Sequence, residues 1–130
     1  MRRGRGVRGG YVDDKQHNEN MIGLPAMFTQ RPYEKLVAWQ EAFNLCLWIY
    51  ELTKKFPSEE KFALVSQMRR SAYSVPMNLA EGNVKHSKKD KARFFENALA
   101  SLEELHCQCR IALGLHYITQ DDFKKADDHI

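Results

Sequence analysis

Gln67-Met68-Arg69-Arg70-Ser71-Ala72-Tyr73-Ser74-Val75-Pro76-Met77-Asn78-Leu79-Ala80-Glu81-Gly82 is the stretch from which the fold can be read. Together with Val65, the apolar positions Met68, Ala72, Val75 and Leu79 alternate at spacings of three and four. That spacing makes one seam along a helix that packs lengthwise against other helices. Pro76 sits inside the seam. It removes one backbone donor, but the pattern runs on to Leu79, so it predicts a bend and not an end. Gly82 then offers a left-handed stop. Ser58 is a good N-cap, which predicts a helix over about 58–81.

Working outward, the segment before it predicts a helix over about 32–56, opened by Pro32 and closed before Pro57. Leu36, Trp39, Phe43, Cys46 and Tyr50 form one stripe. Ala38, Ala42, Leu45, Ile49, Leu52 and Phe56 form a second beside it, with Trp48 close by. Two adjacent apolar faces imply a helix deep in a bundle or one that meets a second subunit. In the latter reading Leu45, Trp48, Ile49 and Leu52 are the oligomer interface.

Downstream, Ser87-Lys88-Lys89-Asp90 is a capping box. It opens a helix over about 88–115 whose stripe is Phe95, Ala98, Leu102, Leu105, Cys109 and Ala112. Thr119-Gln120-Asp121-Asp122 is another, opening a fourth helix over about 120–130. Its apolar content (Phe123, Ala126, Ile130) is thin, and a helix so short is marginal unless packed. It reads as truncated. No stretch alternates as a strand does, and there are no repeats of solenoid length. The fold class is therefore all-α: an antiparallel up-down four-helix bundle over residues 28–130 with a truncated fourth helix.

Residues 1–27 differ from the rest. They begin MRRGRGVRGG and continue polar and aperiodic, which reads as a basic, disordered tail or a start assigned too far upstream, with Met21 or Met27 the true one. Arg-Gly repeats also serve as sequence-tolerant RNA-binding segments.

The chain of 130 residues is one domain's worth. No apolar run is long enough for a membrane span, and no apolar run follows the N-terminal arginines to make a signal peptide. Three cysteines, Cys46, Cys107 and Cys109, make an odd count without framework spacing. They imply free thiols and a reducing, cytoplasmic setting. The net charge of +3 conceals segregation: residues 61–93 carry +6, and residues 94–130 carry −4. Such segregation bears on partners more than on fold.

The residues around Pro76 carry a family resemblance. Trp39-Gln40 comes first, then Gln67-Met68-Arg69-Arg70-Ser71-Ala72 and Ser74-Val75-Pro76-Met77-Asn78-Leu79-Ala80-Glu81-Gly82. Ser87, Phe94-Phe95, Ala98, Ser101 and Glu104-Leu105 follow. Over Met27 to about Asp128 the chain resembles the small bacterial four-helix-bundle proteins, some of them encoded within intervening sequences of large-subunit ribosomal RNA genes. The accessory protein of diversity-generating retroelements shares the design. The resemblance implies a ring-forming homo-oligomer, a homopentamer. It also implies association with nucleic acid and, in the retroelement case, contact with a reverse transcriptase. It implies no catalysis. Family members begin near the equivalent of Met27. His116 departs from the pattern, which has glycine there, and histidine tolerates a left-handed conformation less well.

Function is read from the basic strip. Arg69 and Arg70 flank the Met68 seam and are expected to point outward, while Lys85, Lys88, Lys89, Lys91 and Arg93 surround the start of helix three. These seven are the expected phosphate contacts to RNA or DNA, salt-sensitive and weakly sequence-specific. The alternative is a solvated face, with Arg69 and Arg70 paired to Glu81, Glu103 or a neighbouring subunit. A second function class is a scaffold whose helix-one face or basic strip meets a protein, a reverse transcriptase or another acidic partner.

Enzymatic readings find little support. Asn78 and Glu81 lack an accompanying nucleophile or base, so a structural role beside the proline bend is favoured. Glu103-Glu104-Leu105-His106 has a Glu-x-x-His spacing but not the second motif and further glutamates of a di-iron bundle. Cys107 and Cys109 point to different faces of a helix. No catalytic residue, metal site or cofactor is expected.

Overall fold

The computed structural model describes residues 30–130. The expectations for residues 1–27 lie outside them. Pro32–Ile130 form one unit. Among the described residues it is all helical: α1 (Val37–Thr53), α2 (Leu64–Val84), α3 (Lys88–Gly114) and α4 (Gln120–His129), with short 3-10 turns at Pro32–Lys35 and Ser58–Glu60. None of these helices is long and apolar enough to cross a membrane.

The ends of α1 and the start of α2 differ from the sequence expectation for local reasons. Pro32 opens a 3-10 turn closed by Leu36 N–H on the Tyr33 carbonyl (3.0 Å), and α1 begins only after it. Ser58 opens another such turn. The start of α2 is capped by Glu60, whose Oε1 accepts from Leu64 N–H (3.3 Å). At the far end Gly82 does not stop α2, which runs through Pro76 and on to Val84. Gly82 is needed for close approach: a Cβ there would lie 2.9 Å from Phe95 Cε1 and 3.1 Å from Phe94 Cβ. The constraint is the α2–α3 crossing, not the backbone conformation.

α3 starts as the sequence predicts, with Ser87 Oγ accepting from Asp90 N–H (3.0 Å). It ends in a Schellman motif: Tyr117 N–H donates to the Ala112 carbonyl (2.9 Å) and His116 N–H to that of Leu113 (3.0 Å). The motif needs one left-handed residue. Here that residue is His116, at φ 65°. The strain foreseen at this position is therefore present. Thr119 and Asp122 close a capping box on α4.

Ile49, Met68, Leu105 and Cys109 are fully enclosed where α1, α2 and α3 meet, and Ala126 brings α4 into the same core. α2 packs between α1 and α3, and α4 closes against α3 and α1. This placement corrects the interface expectation for helix one. Leu45, Ile49 and Leu52 are 5%, 0% and 5% exposed within a single chain, and Trp48 packs half-buried against the same core. The second stripe of α1 is covered by the chain's own helices, not by another subunit.

Three backbone substitutions test this reading. Gly114→Ala, in α3 where a Cβ would meet nothing within 4 Å, is expected to stabilise by about 0.5–1 kcal/mol. His116→Gly should stabilise by about 1 kcal/mol by removing the left-handed penalty. Gly82→Ala should destabilise by about 1 kcal/mol, because the Phe95 ring and the Phe94 Cβ must yield. Urea denaturation midpoints measure all three.

Candidate nucleic-acid interface

An α-helix leaves its last four carbonyls without partners and carries partial negative charge there. Two of the strip's cations meet that need. Arg69 of α2 crosses to the end of α1, its Nε donating to Thr53 Oγ1 (2.9 Å) and its Nη2 to the Tyr50 carbonyl (3.2 Å). The Thr53 hydroxyl in turn donates to the Ile49 carbonyl (2.8 Å), and the Arg69 guanidinium lies 4.7 Å from the Tyr50 ring centre. At the other end of the bundle Lys91 of α3 caps α2, its Nζ donating to the carbonyls of Asn83 (3.0 Å) and Gly82 (3.4 Å). The expectation that Arg69 points outward is thus corrected: its guanidinium is turned inward onto α1.

The remaining cations divide in two. The turn between α2 and α3 brings Lys85, Lys88, Lys89 and Arg93 together. Phe94 supports this corner, with Lys85 Nζ 5.1 Å and the Arg93 guanidinium 4.6 Å from its ring centre. Both contacts hold a long side chain over an aromatic face and so limit its freedom. Asp90 lies 3.9 Å from Arg93. Lys88 and Lys89 are exposed and have no partner among the described residues. The N-terminus of α3 adds its own positive end to the same corner.

Arg70 stands apart from the corner, about 20 Å down α2 by helical rise. It lines a polar groove between α2 and α3 with Tyr73, Met77, Glu81 and Glu104. Beside the proline, Asn78 Nδ2 donates to the Ser74 carbonyl (2.8 Å) and Ser74 Oγ (3.0 Å), and Ser74 Oγ shares a hydrogen bond with Ser101 Oγ across to α3 (2.9 Å). His106 Nε2 donates to Asp127 Oδ1 (2.8 Å). Among the described residues no group of three or more His, Cys, Asp or Glu side chains could hold a metal ion.

Two features escaped the sequence reading. The spacing of Lys85 from Phe94 gives no helical signal because a turn separates them. Arg69 and Thr53 lie on different helices, and only the packing of α1 on α2 joins them.

A model of the 23S rRNA-intervening sequence protein family matches residues 34–130. The chain belongs to that family. The match spans all four helices, including both capping cations and the lysine corner. No curated protein matches the chain. The family is tied by its description to ribosomal RNA, and its description names no reaction.

The cysteines give a further check on the packing. Burial pushes the Cys46 thiol up to about 11 and that of Cys109 to about 12, whereas Cys107 is exposed. A thiol reagent at pH 8 should therefore modify one cysteine of the folded protein rapidly and all three only after denaturation.

Proposed function

We propose that this protein is a non-catalytic, RNA-associated accessory protein that grips phosphates through the α2–α3 corner. The observation that carries the reading is the state of the corner's cations. Lys88 and Lys89 are exposed without a carboxylate partner, beside Lys85 and Arg93 propped on Phe94. Unpaired ammonium groups at a helix N-terminus attract phosphate, and each phosphate neutralised releases a counterion. Lysines make point contacts and read no base edge, so they hold a phosphate backbone without selecting a sequence. Membership of an rRNA-intervening sequence family favours RNA over DNA as the ligand.

The working set is smaller than the seven residues of the strip. Arg69 and Lys91 serve the helix ends, and Arg70 lies in a different groove. Lys85, Lys88, Lys89 and Arg93 remain. In a homo-oligomer such as the ring implied by the family resemblance, the corner would recur once per subunit, and linked weak sites gain avidity.

The test is a salt titration of binding to a structured RNA. A Lys85→Gln, Lys88→Gln, Lys89→Gln variant should bind more weakly for every RNA sequence tried. Its slope of log affinity against log salt should be shallower by about 3, one for each lysine removed. An unchanged slope in the folded variant would remove the corner from the interface.

A further inference from the structure

α2 carries a second stripe on the side turned away from its core seam. Ser66, Arg70, Tyr73, Met77, Glu81 and Val84 recur at spacings of three and four and fall within about a quarter of the helix circumference. All are exposed, with Tyr73 at 40%, Met77 at 55% and Val84 at 60%. α1 and α3 cover the flanks of α2. Among the described residues α4 packs on α1 and α3 and not on α2, so it takes no part in shaping this face. Single exposed apolar side chains are ordinary, but three in line on one helix make a strip that another helix can cover.

The strip has a direction. Along it the order is Arg70, Tyr73, Met77, Glu81: a cation at one end of an apolar centre and an anion at the other. Arg70 and Glu81 stand about 16 Å apart along the axis, too far to pair within one chain. Among the described residues neither makes an ion pair, although Glu104 of α3 lines the groove beside Arg70.

Such an order is complementary to its own reverse. The midpoint between Arg70 and Glu81 falls between Val75 and Pro76. The midpoints of Tyr73 with Met77 and of Ser66 with Val84 fall on Val75 itself. Two copies of α2 laid antiparallel about a twofold axis at that point set Arg70 of each against Glu81 of the other. The same axis sets each Tyr73 ring against the other copy's Met77 thioether, a favourable neighbour for an aromatic ring. A parallel pairing in register would instead oppose Arg70 to Arg70 and Glu81 to Glu81. A foreign partner would have to carry the same order reversed, which a second copy carries by symmetry.

We infer that the outer face of α2 pairs with the same face of a second copy, antiparallel, about a twofold axis beside Val75 and Pro76. The apolar centre is Tyr73 and Met77, and the charged rim is Arg70 and Glu81. A twofold contact closes on itself and makes a pair of chains, unlike the head-to-tail contacts of a ring. It uses none of the corner's lysines, so this pairing and the phosphate reading can fail independently.

The test is the mass of the full chain without RNA, by light scattering across a concentration series. The wild type should reach the mass of two chains. Met77→Glu should give single chains, because each copy would set a carboxylate against the other's Tyr73. Its circular dichroism and urea midpoint should stay unchanged, since Met77 is already exposed. Arg70→Glu and Glu81→Arg should each weaken pairing at least about tenfold, because each puts like charges at both symmetric contacts. Mixed in equal amounts, these two charge variants should pair with each other as the wild type does with itself. The Lys85→Gln, Lys88→Gln, Lys89→Gln variant should pair normally. A wild type that stays single at every concentration, an assembly of five, a mass that Met77→Glu leaves unchanged, or charge variants that do not rescue each other overturns the proposal.

Discussion

A buried helix end must find donors for its last carbonyls, and this bundle supplies them from the following helix. Arg69 closes α1 and Lys91 closes α2, at opposite ends of the molecule. Each cation also meets the negative end of a helix dipole, where a positive charge is favourable. The third long helix closes itself with a Schellman turn, which needs a left-handed residue, and His116 fills that place. These three closures set where each helix stops, how the turns run, and so which residues come together at the corners.

That constraint sorts the basic residues by role. In the sequence, residues 61–93 look like one strip with a net charge of +6. In the structure the strip, Lys61 aside, is three things. Two cations are spent on helix ends, one lines a polar groove, and four gather at the α2–α3 corner with little to neutralise them. The phosphate contacts we propose fall to the last group, because a cation already hydrogen-bonded to carbonyls has less to gain from a phosphate.

Much of the fold was legible because it rests on periodicity. The Met68–Ala72–Val75–Leu79 seam and the capping signals at Ser87 and Thr119 placed three of the four helices, and the paired stripes after Pro32 placed α1. The exposed and half-buried positions of α3 follow the same arithmetic. Other features depend on contacts between segments far apart in the chain. Gly82 looked like a stop because glycine commonly ends helices, but its role comes from Phe95 pressing against it. The double stripe of α1 suggested a subunit interface, because a sequence cannot show how much apolar surface its own other helices will cover. Leu45, Ile49 and Leu52 turned out to face α2, α3 and α4 as core. Arg69 looked free because its partner, Thr53, belongs to a different helix. The corner lysines are adjacent in sequence, whereas the support that Phe94 gives to Lys85 and Arg93 was not visible there.

The division between structural and free cations is tested most directly by measuring stability and RNA affinity on the same two variants. One is Arg69→Gln and the other is Lys88→Gln with Lys89→Gln. The structure predicts that Arg69→Gln loses about 1.5–3 kcal/mol of stability, the worth of hydrogen bonds from a charged donor, while its folded fraction binds RNA as the wild type does. The lysine variant should keep its denaturation midpoint and bind RNA more weakly. If Arg69→Gln is as stable as the wild type, or if its folded form loses as much affinity as the lysine variant, the division is wrong and the strip acts as one surface.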